Sequence, residues 1–214
     1  MAFIFTIWEI IDLLVMTFVI GFIFKDFIPA KALFNKPYKI HADLTKTQSE
    51  IFWKDMWTAI IIAAPAIILH EFGHKFAALA FGFDSTFHAA YVWLVVALLL
   101  KLINFSFIFI VPAFVESTCA AGAAFCAGKA SFLASAMIAL AGPLVNLLLW
   151  LGSYIVIKNN LLPKKYKRWE PALILTARIN FFLMLFNMIP IPGFDGYHFF
   201  TGMINYFGLL HFFF

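Results

Sequence analysis

Long apolar segments separated by short polar stretches restrict the fold of this sequence more than any other feature. Four of them are long enough to cross the apolar core of a bilayer as helices, which takes about 20 residues: 3–24, 58–82, 132–157 and 171–189. Residues 91–103 are apolar but short, and residues 198–214 form a last, aromatic-rich segment. We therefore expect an all-α polytopic membrane protein with about five to six transmembrane helices, located in the cell membrane as a multi-pass protein.

The composition supports this expectation and excludes other classes of protein. Hydrophobic residues make up 64% of the chain and charged residues 12%, against about half and a quarter in soluble domains. In water, such a chain would have too few polar groups to cover its apolar surface. The net charge is +4, and most of the positively charged residues lie in residues 25–54 and 158–168, as is typical of loops beside membrane spans. We expect these charges to contact the lipid bilayer. We expect no binding of nucleic acid, because the sequence has no basic face interleaved with aromatic residues that could stack on bases.

Three regions follow from this pattern. Residues 1–57 are a first transmembrane segment and an interfacial connector, which includes a short helix at 45–57. Residues 58–200 form the core, and residues 201–214 are a C-terminal transmembrane segment. Within the core, residues 105–115 are rich in Phe, Ile and Val and contain Pro112, which favours a small membrane-associated β element. Such a strand must pair within the protein or line a wet cavity, and the small polar residues 116–130 after it predict a loop or the end of a hairpin.

The second long apolar segment contains His70-Glu71-Phe72-Gly73-His74, the pattern HExxH. On a helix the two histidines lie one turn apart on the same face, where both imidazoles can bind one zinc ion. Glu71 is then placed to act as a general base toward a water at the metal. The alternative is a set of paired polar groups between helices, but ionisable residues inside a membrane usually mark a functional site.

A catalytic zinc usually has three protein ligands, so two histidines leave one ligand to be found. Asp195 follows the break Pro190-Ile191-Pro192-Gly193 at the end of an apolar segment. Irregular backbone at membrane depth faces protein or water, and a carboxylate there would gain a metal as partner. Asp-Gly is also a common turn pair, so the residues alone leave Asp195 open between a ligand and a surface turn. His198, three residues further on, is a candidate neighbour of the site.

Together these residues resemble the site-2 proteases, zinc metalloproteases that cleave within the membrane. The family pairs HExxH with a distant N-x2-P-x4-D-G, present here as Asn187-x2-Pro190-x4-Asp195-Gly196. Residues 141–146 (AGPLVN) look like the family's G-P-x-x-N segment, and residues 105–115 look like its membrane-inserted strand. The resemblance covers roughly residues 58–200 and is to compact prokaryotic members without PDZ or CBS domains.

The resemblance implies a function and a role for each matched residue. His70, His74 and Asp195 would bind one Zn²⁺, and Glu71 would be the catalytic base. Asn146 and Asn187 would contact the substrate backbone or the developing oxyanion; the alternative for both is hydrogen bonding between helices, which asparagine commonly makes in bilayers. The implied enzyme is a zinc metalloendopeptidase that hydrolyses peptide bonds of transmembrane protein substrates, as in regulated intramembrane proteolysis. Its oligomeric state does not follow from the sequence.

Two other functions remain open at this stage. One is a membrane metalloprotease of another class, with a glutamate as third ligand, for which Glu116 and Glu170 are the later candidates. The other is a non-enzymatic metal-binding or transport membrane protein that uses the same histidines. Measuring the zinc stoichiometry and the cleavage activity of a Glu71→Gln variant distinguishes these functions, because only a protease would keep the metal and lose cleavage.

The remaining polar residues of the apolar segments are interpreted as structural. Arg178 is expected to pair with Glu116, Glu9 or a backbone carbonyl, and Glu9 and Asp12 are expected at the membrane interface. The two cysteines of the chain, Cys119 and Cys126, have a spacing that fits no zinc motif, so we expect free thiols.

Overall fold

Six α-helices and two β-strands make up the part of the chain that the structure, a computed structural model, describes: residues 5–28, 30, 44–105, 112–119 and 124–208. In chain order they are α1 (Ile7–Phe24), α2 (Leu44–Ala80), β1 (Phe83–Ala89), α3 (Tyr91–Leu102), β2 (Ala113–Cys119), α4 (Gly128–Lys158), α5 (Glu170–Asn187) and α6 (Asp195–Phe207). Short 3-10 turns at Ala124–Cys126 and Lys164–Trp169 precede α4 and α5.

The predicted mostly α-helical architecture with a small β element is confirmed. Within the described ranges, four helical segments are long and apolar enough to cross a membrane: Ile7–Phe24, Thr47–Ala80, Gly128–Lys158 and Lys164–Asn187. α3 and α6 have only 12 and 13 residues, short of the about 20 that a span needs. Helix length therefore supports four spans in these ranges, whereas the sequence predicts five to six.

α2 is longer than the sequence predicts. A separate interfacial helix at 45–57 was expected before the span that starts at residue 58, but one helix of 37 residues runs through both. Residues 44–64 contain no glycine or proline, so nothing interrupts the backbone hydrogen bonds between the two parts. The exposed Trp53 and Trp57 lie on its N-terminal half, as expected near a membrane interface.

The β element is an antiparallel pair of strands, in register from Phe83↔Cys119 to Ala89↔Ala113. The predicted strand at 105–115 is thus found in part, because β2 starts at Ala113, and residues 106–111 lie outside the described ranges. Of the two predictions for 116–130, a loop is wrong at residues 116–119, which continue β2 as the end of a paired strand. The sequence does not indicate the full extent of either strand. β1 and β2 each contain three consecutive polar residues, which suggest a turn and interrupt the apolar alternation typical of a strand.

Carboxylates from α1 occupy the outer edge of β1. Glu9 accepts hydrogen bonds from the backbone N–H of Phe87 (2.7 Å) and from the ammonium of Lys75, and Asp12 accepts one from the N–H of Ala89 (3.1 Å). Glu9 and Asp12 are therefore buried within the protein, and their position at the membrane interface stays a prediction. They fit beside β1 because an edge strand presents unpaired N–H groups that need acceptors.

The cysteines are also placed differently from the expectation. Cys119, at the end of β2, and Cys126, in the turn before α4, form a disulfide, with their Cα atoms 5.7 Å apart. The prediction of free thiols is therefore wrong. A motif search for metal ligands could not anticipate that the sheet brings the two residues within bridging distance.

α4 packs against α2, α5 and α6 and holds the site together. α2 approaches it closely at Gly73, where an added Cβ would lie 2.8 Å from the carbonyl oxygen of Ala141. Small residues permit such backbone-to-backbone approach between membrane helices. This contact lies inside the HExxH sequence and brings its histidines against α4.

Candidate metal centre

The two histidines of HExxH are buried on α2, one helical turn apart. Their Nε2 atoms lie 3.1 Å from each other, and their rings meet edge to face. Both side chains point from α2 toward α4 and α6, because each also contacts residues of those helices. The geometry that the sequence predicts for this pair is therefore present.

Asp195 reaches the same point from the other end of the chain. It is the first residue of α6, and the loop before it turns at Gly193, whose φ is +99°. Its Oδ2 lies 3.1 Å from Nε2 of His70 and 3.3 Å from Nε2 of His74. The structure thus places Asp195 with the histidines and not in a surface turn, and the three side chains form a group that could hold a metal ion.

Gly196 fixes the position of this loop. A Cβ added to Gly196 would lie 2.3 Å from the carbonyl oxygen of Met188, so the start of α6 folds tightly against the end of α5. The Asp-Gly pair is therefore needed for close backbone approach, and the aspartate beside it is held over α2.

The far sides of both imidazoles are hydrogen-bonded to oxygen acceptors. Nδ1 of His70 lies 2.6 Å from Oδ1 of Asn146, and Nδ1 of His74 lies 2.8 Å from the carbonyl oxygen of Ile138. The amide nitrogen of Asn146 donates to the carbonyl of Ala66 and to Oδ1 of Asn180, which fixes the orientation of its amide. Each Nδ1 must therefore carry the proton, and each Nε2 of a neutral ring has a free lone pair.

A cation fits this arrangement. Three acceptor atoms converge, and Oδ2 of Asp195 is buried without a hydrogen-bond partner among the described residues. Ligands about 2.0–2.1 Å from one ion in a tetrahedral site lie about 3.3 Å from one another, close to the 3.1–3.3 Å separations here. Two imidazoles and one carboxylate are a donor set typical of catalytic zinc, with a fourth position left for water or substrate.

Gly142 of α4 provides the space for the two rings. A Cβ at this position would lie 2.3 Å from Nε2 of His74 and 2.8 Å from Cε1 of His70. Any side chain there would push the imidazoles out of place. The AGPLVN segment therefore contributes twice to the centre, through the missing side chain of Gly142 and through the amide of Asn146.

The group opens on a cavity of about 890 Å³ between α2, β2, α4, α5 and α6. Glu71, which is 7% exposed, lines this cavity together with the three candidate ligands. Asn187 and His198 line it as well. Glu71 therefore faces the same cavity as the three candidate ligands; its role as a base and the substrate contact expected of Asn187 remain predictions.

Asn146 has a different place from the one that the resemblance implies. It is fully buried behind His70, and the residues around the cavity do not include it. Its amide oxygen orients the imidazole instead of facing substrate. The sequence analysis missed Asn180 of α5, whose amide oxygen accepts a hydrogen bond from Asn146. Asn180 could have been found as an asparagine within an apolar span, because polar side chains there commonly form hydrogen bonds between helices.

The two glutamates considered as third ligands lie elsewhere. Glu116 on β2 is exposed, with Oε2 3.7 Å from Nε2 of His88. Glu170 starts α5, 3.3 Å from the ammonium of Lys167. Neither belongs to the group around His70 and His74.

The chain is similar to a curated protein of Methanocaldococcus jannaschii that bears the name "Putative zinc metalloprotease MJ0611". The two are 34% identical over 141 residues. The matched region covers 64% of this chain and 66% of the relative, so this chain spans just under two thirds of the relative's length. No family model matches the chain, and no solved structure matches it.

Proposed function

We propose that this chain is an intramembrane zinc metalloprotease of the site-2 protease type, a multi-pass protein of the cell membrane that hydrolyses peptide bonds of transmembrane substrates. The observation that carries the proposal is the convergence of His70 Nε2, His74 Nε2 and Asp195 Oδ2 on one point of a cavity between helices of membrane-spanning length. The name of the relative from Methanocaldococcus jannaschii supports zinc metalloprotease activity.

The residues of the centre divide the work. His70, His74 and Asp195 would hold the zinc, with Asn146 and the carbonyl of Ile138 orienting the imidazoles. When bound, zinc supplies Lewis-acid chemistry, because it lowers the pKa of water and polarises a carbonyl. Glu71 takes the proton of the attacking water and passes it to the leaving amine.

Substrate must enter this cavity in an unwound form, because the peptide groups of an intact helix are engaged in hydrogen bonds. β2 offers the means to hold such a segment. Its residues Ala113, Phe114, Val115 and Ser117 line the cavity, and its partner β1 has its own outer edge occupied by Glu9 and Asp12. Among the described residues, no strand pairs with the other edge of β2. An extended peptide therefore adds at that edge, with main-chain hydrogen bonds supplying affinity.

The alternatives fit less well. A metalloprotease with a glutamate as third ligand would need Glu116 or Glu170 near the histidines, and Asp195 lies there instead. A metal-binding or transport protein explains the three ligands but gives no role to Glu71, a buried carboxylate beside them that has no place in the ligand group.

The test is the Glu71→Gln variant, assayed for zinc content by mass spectrometry and for cleavage of single-span proteins in liposomes. We expect near-wild-type zinc, because Glu71 is not a ligand, and loss of cleavage, because the base is gone. Cleavage by this variant at the wild-type rate would refute the catalytic assignment. An inactive wild-type protein that binds zinc stoichiometrically would favour the non-enzymatic alternative.

A further inference from the structure

Arg178 lies in the middle of α5, eight residues from its start at Glu170 and nine from its end at Asn187. Each distance corresponds to about 12–14 Å of helix. α5 belongs to a segment that is long and apolar enough to cross a membrane. A charge at such a depth is costly unless it meets a partner or a water-filled cavity, so its presence needs an explanation.

None of the expected partners explains it. Glu9 is bound to Lys75, and Glu116 lies next to His88. Among the described residues, no hydrogen bond, ion pair or ring contact involves Arg178. Asp43 is the one acidic residue outside the described ranges. The pairing of Arg178 with Glu9 or Glu116 is therefore wrong, and no backbone carbonyl of the described residues accepts a hydrogen bond from Arg178 either.

The side chain of Arg178 instead lines the cavity of the metal centre. The side chain of Arg178 is exposed. It lies on the same stripe of α5 as Leu175 and Phe182, which also line the cavity. It is the one arginine or lysine among the described lining residues, whose other members are mostly apolar. The cavity thus presents a single fixed positive charge, set apart from the ligands, on an otherwise apolar wall.

We propose that Arg178 is the anchor for an acidic side chain of the peptide segment that occupies this cavity, and so determines substrate specificity. The inference rests on the proposed function. A guanidinium binds a carboxylate through two parallel hydrogen bonds, which fixes register as well as affinity. Because Arg178 is built on a helix and the centre is fixed, the acidic residue must stand at a constant spacing from the cleaved bond.

A peptide carboxylate suits this place better than a lipid phosphate. Headgroups lie at the membrane surface, about 12–14 Å along α5 from Arg178. The turn before α5 contains four basic residues that are placed to meet these headgroups: Lys164, Lys165, Lys167 and Arg168. A carboxylate on a bound peptide is carried into the cavity, to the depth at which Arg178 lies.

The experiment uses one single-span reporter peptide of leucine and alanine in phosphatidylcholine liposomes, with Asp placed at each position of its span in turn and Asn as the matched control. We expect wild-type protein to cleave the Asp peptide about 10-fold better than the Asn peptide at one position or two adjacent ones. In Arg178→Gln that ratio falls to one. Arg178→Glu reverses it in favour of a peptide with Lys at that position, which a misfolded variant would not do.

The matched control is Arg168→Gln, which removes the other arginine of the chain, an exposed residue of the turn before α5. It should keep the wild-type ratio. Equal cleavage of Asp and Asn peptides at every position by the wild-type protein would overturn the inference. So would a preference that appears only when anionic lipid is added to the liposomes, since this would assign Arg178 to a headgroup.

Binding separates this inference from the proposed function. In a Glu71→Gln background, labelled Asp and Asn peptides are titrated in detergent, with and without Arg178→Gln. We expect binding of the Asp peptide to weaken about 10-fold when Arg178 is removed, and binding of the Asn peptide to stay unchanged. Absence of cleavage in the wild type would defeat the proposed function, whereas equal binding of both peptides would defeat the role of Arg178. Asp43→Asn should leave binding unaffected; equal loss of binding of both peptides in Asp43→Asn and in Arg178→Gln would identify an internal structural pair and overturn the inference.

Discussion

Oδ1 of Asn146 lies 2.6 Å from Nδ1 of His70, although 76 positions separate the two residues in the chain. The bond fixes which ring nitrogen carries the proton and turns the other toward the candidate metal position. Asn146→Ala should therefore weaken zinc binding about 10- to 100-fold, the usual effect of removing a group that orients a ligand. Competition with a zinc chelator measures this. Asn159→Ala, an exposed residue at the end of the same helix, should leave the affinity unchanged, and equal affinity in both variants would contradict the role of Asn146.

Gly142 allows a second test, in which a single methyl group is added. Gly142→Ala should lose zinc and activity together, because its Cβ would meet Nε2 of His74 at 2.3 Å. Gly152→Ala is the matched control on the same helix, since nothing lies within 4 Å of its Cβ. The alanine at 152 should keep zinc and raise helix stability slightly, by up to about 1 kcal/mol. Zinc content and thermal unfolding of both variants distinguish a local clash from general damage to α4.

Lys75 and Glu9 form an ion pair in which each side chain is only 2% exposed. Lys75→Met should lower the free energy of unfolding by roughly 3–5 kcal/mol, because it leaves the Glu9 carboxylate buried without its cation. The double variant Lys75→Met, Glu9→Gln should recover part of this loss. Lys101→Met is the control, since its partner Asp26 is 55% exposed, and should cost at most about 1 kcal/mol. Unfolding in detergent followed by circular dichroism measures all three; a similar loss for both lysines would contradict the argument.

The sequence predicts the parts of this protein that depend on local pattern. The long apolar segments and the one-turn spacing of His70 and His74 follow from the helical period, and both are found in the structure. The contacts that depend on the packing of distant segments did not follow. The hydrogen bonds of Glu9 and Asp12 to β1 were not predicted, because nothing in α1 indicates that β1 presents N–H groups to them. The disulfide was missed for the same reason: β2 brings Cys119 back toward the start of α4.

Asp195 lies between these two cases. Its chemistry pointed to a metal, but Asp-Gly equally indicates a turn, and only the tight contact of Gly196 with Met188 decides that the loop folds over α2. The contact that Asn180 makes could not be identified from the sequence in this way. Its partner Asn146 belongs to a motif, whereas the hydrogen bond between their amides joins α4 and α5 and depends on how those helices pack.

The assignment of Asp195 as third ligand leads to the last prediction. A carboxylate supplies a ligand atom and also compensates the charge of the cation, so Asp195→Ala should lose zinc and cleavage together, as His70→Ala and His74→Ala should. Asp195→Asn keeps the size of the side chain and an oxygen donor but not the charge, and should bind zinc more weakly than wild type and more tightly than Asp195→Ala. The controls are Glu116→Ala and Glu170→Ala, which should keep zinc binding and cleavage, because each of these side chains is paired away from the candidate metal ligands.

Mass spectrometry gives the zinc bound per chain in every variant, and cleavage is assayed in liposomes. Full zinc occupancy in Asp195→Ala, or its loss in either glutamate variant, would move the third ligand elsewhere and make the other class of metalloprotease the better explanation.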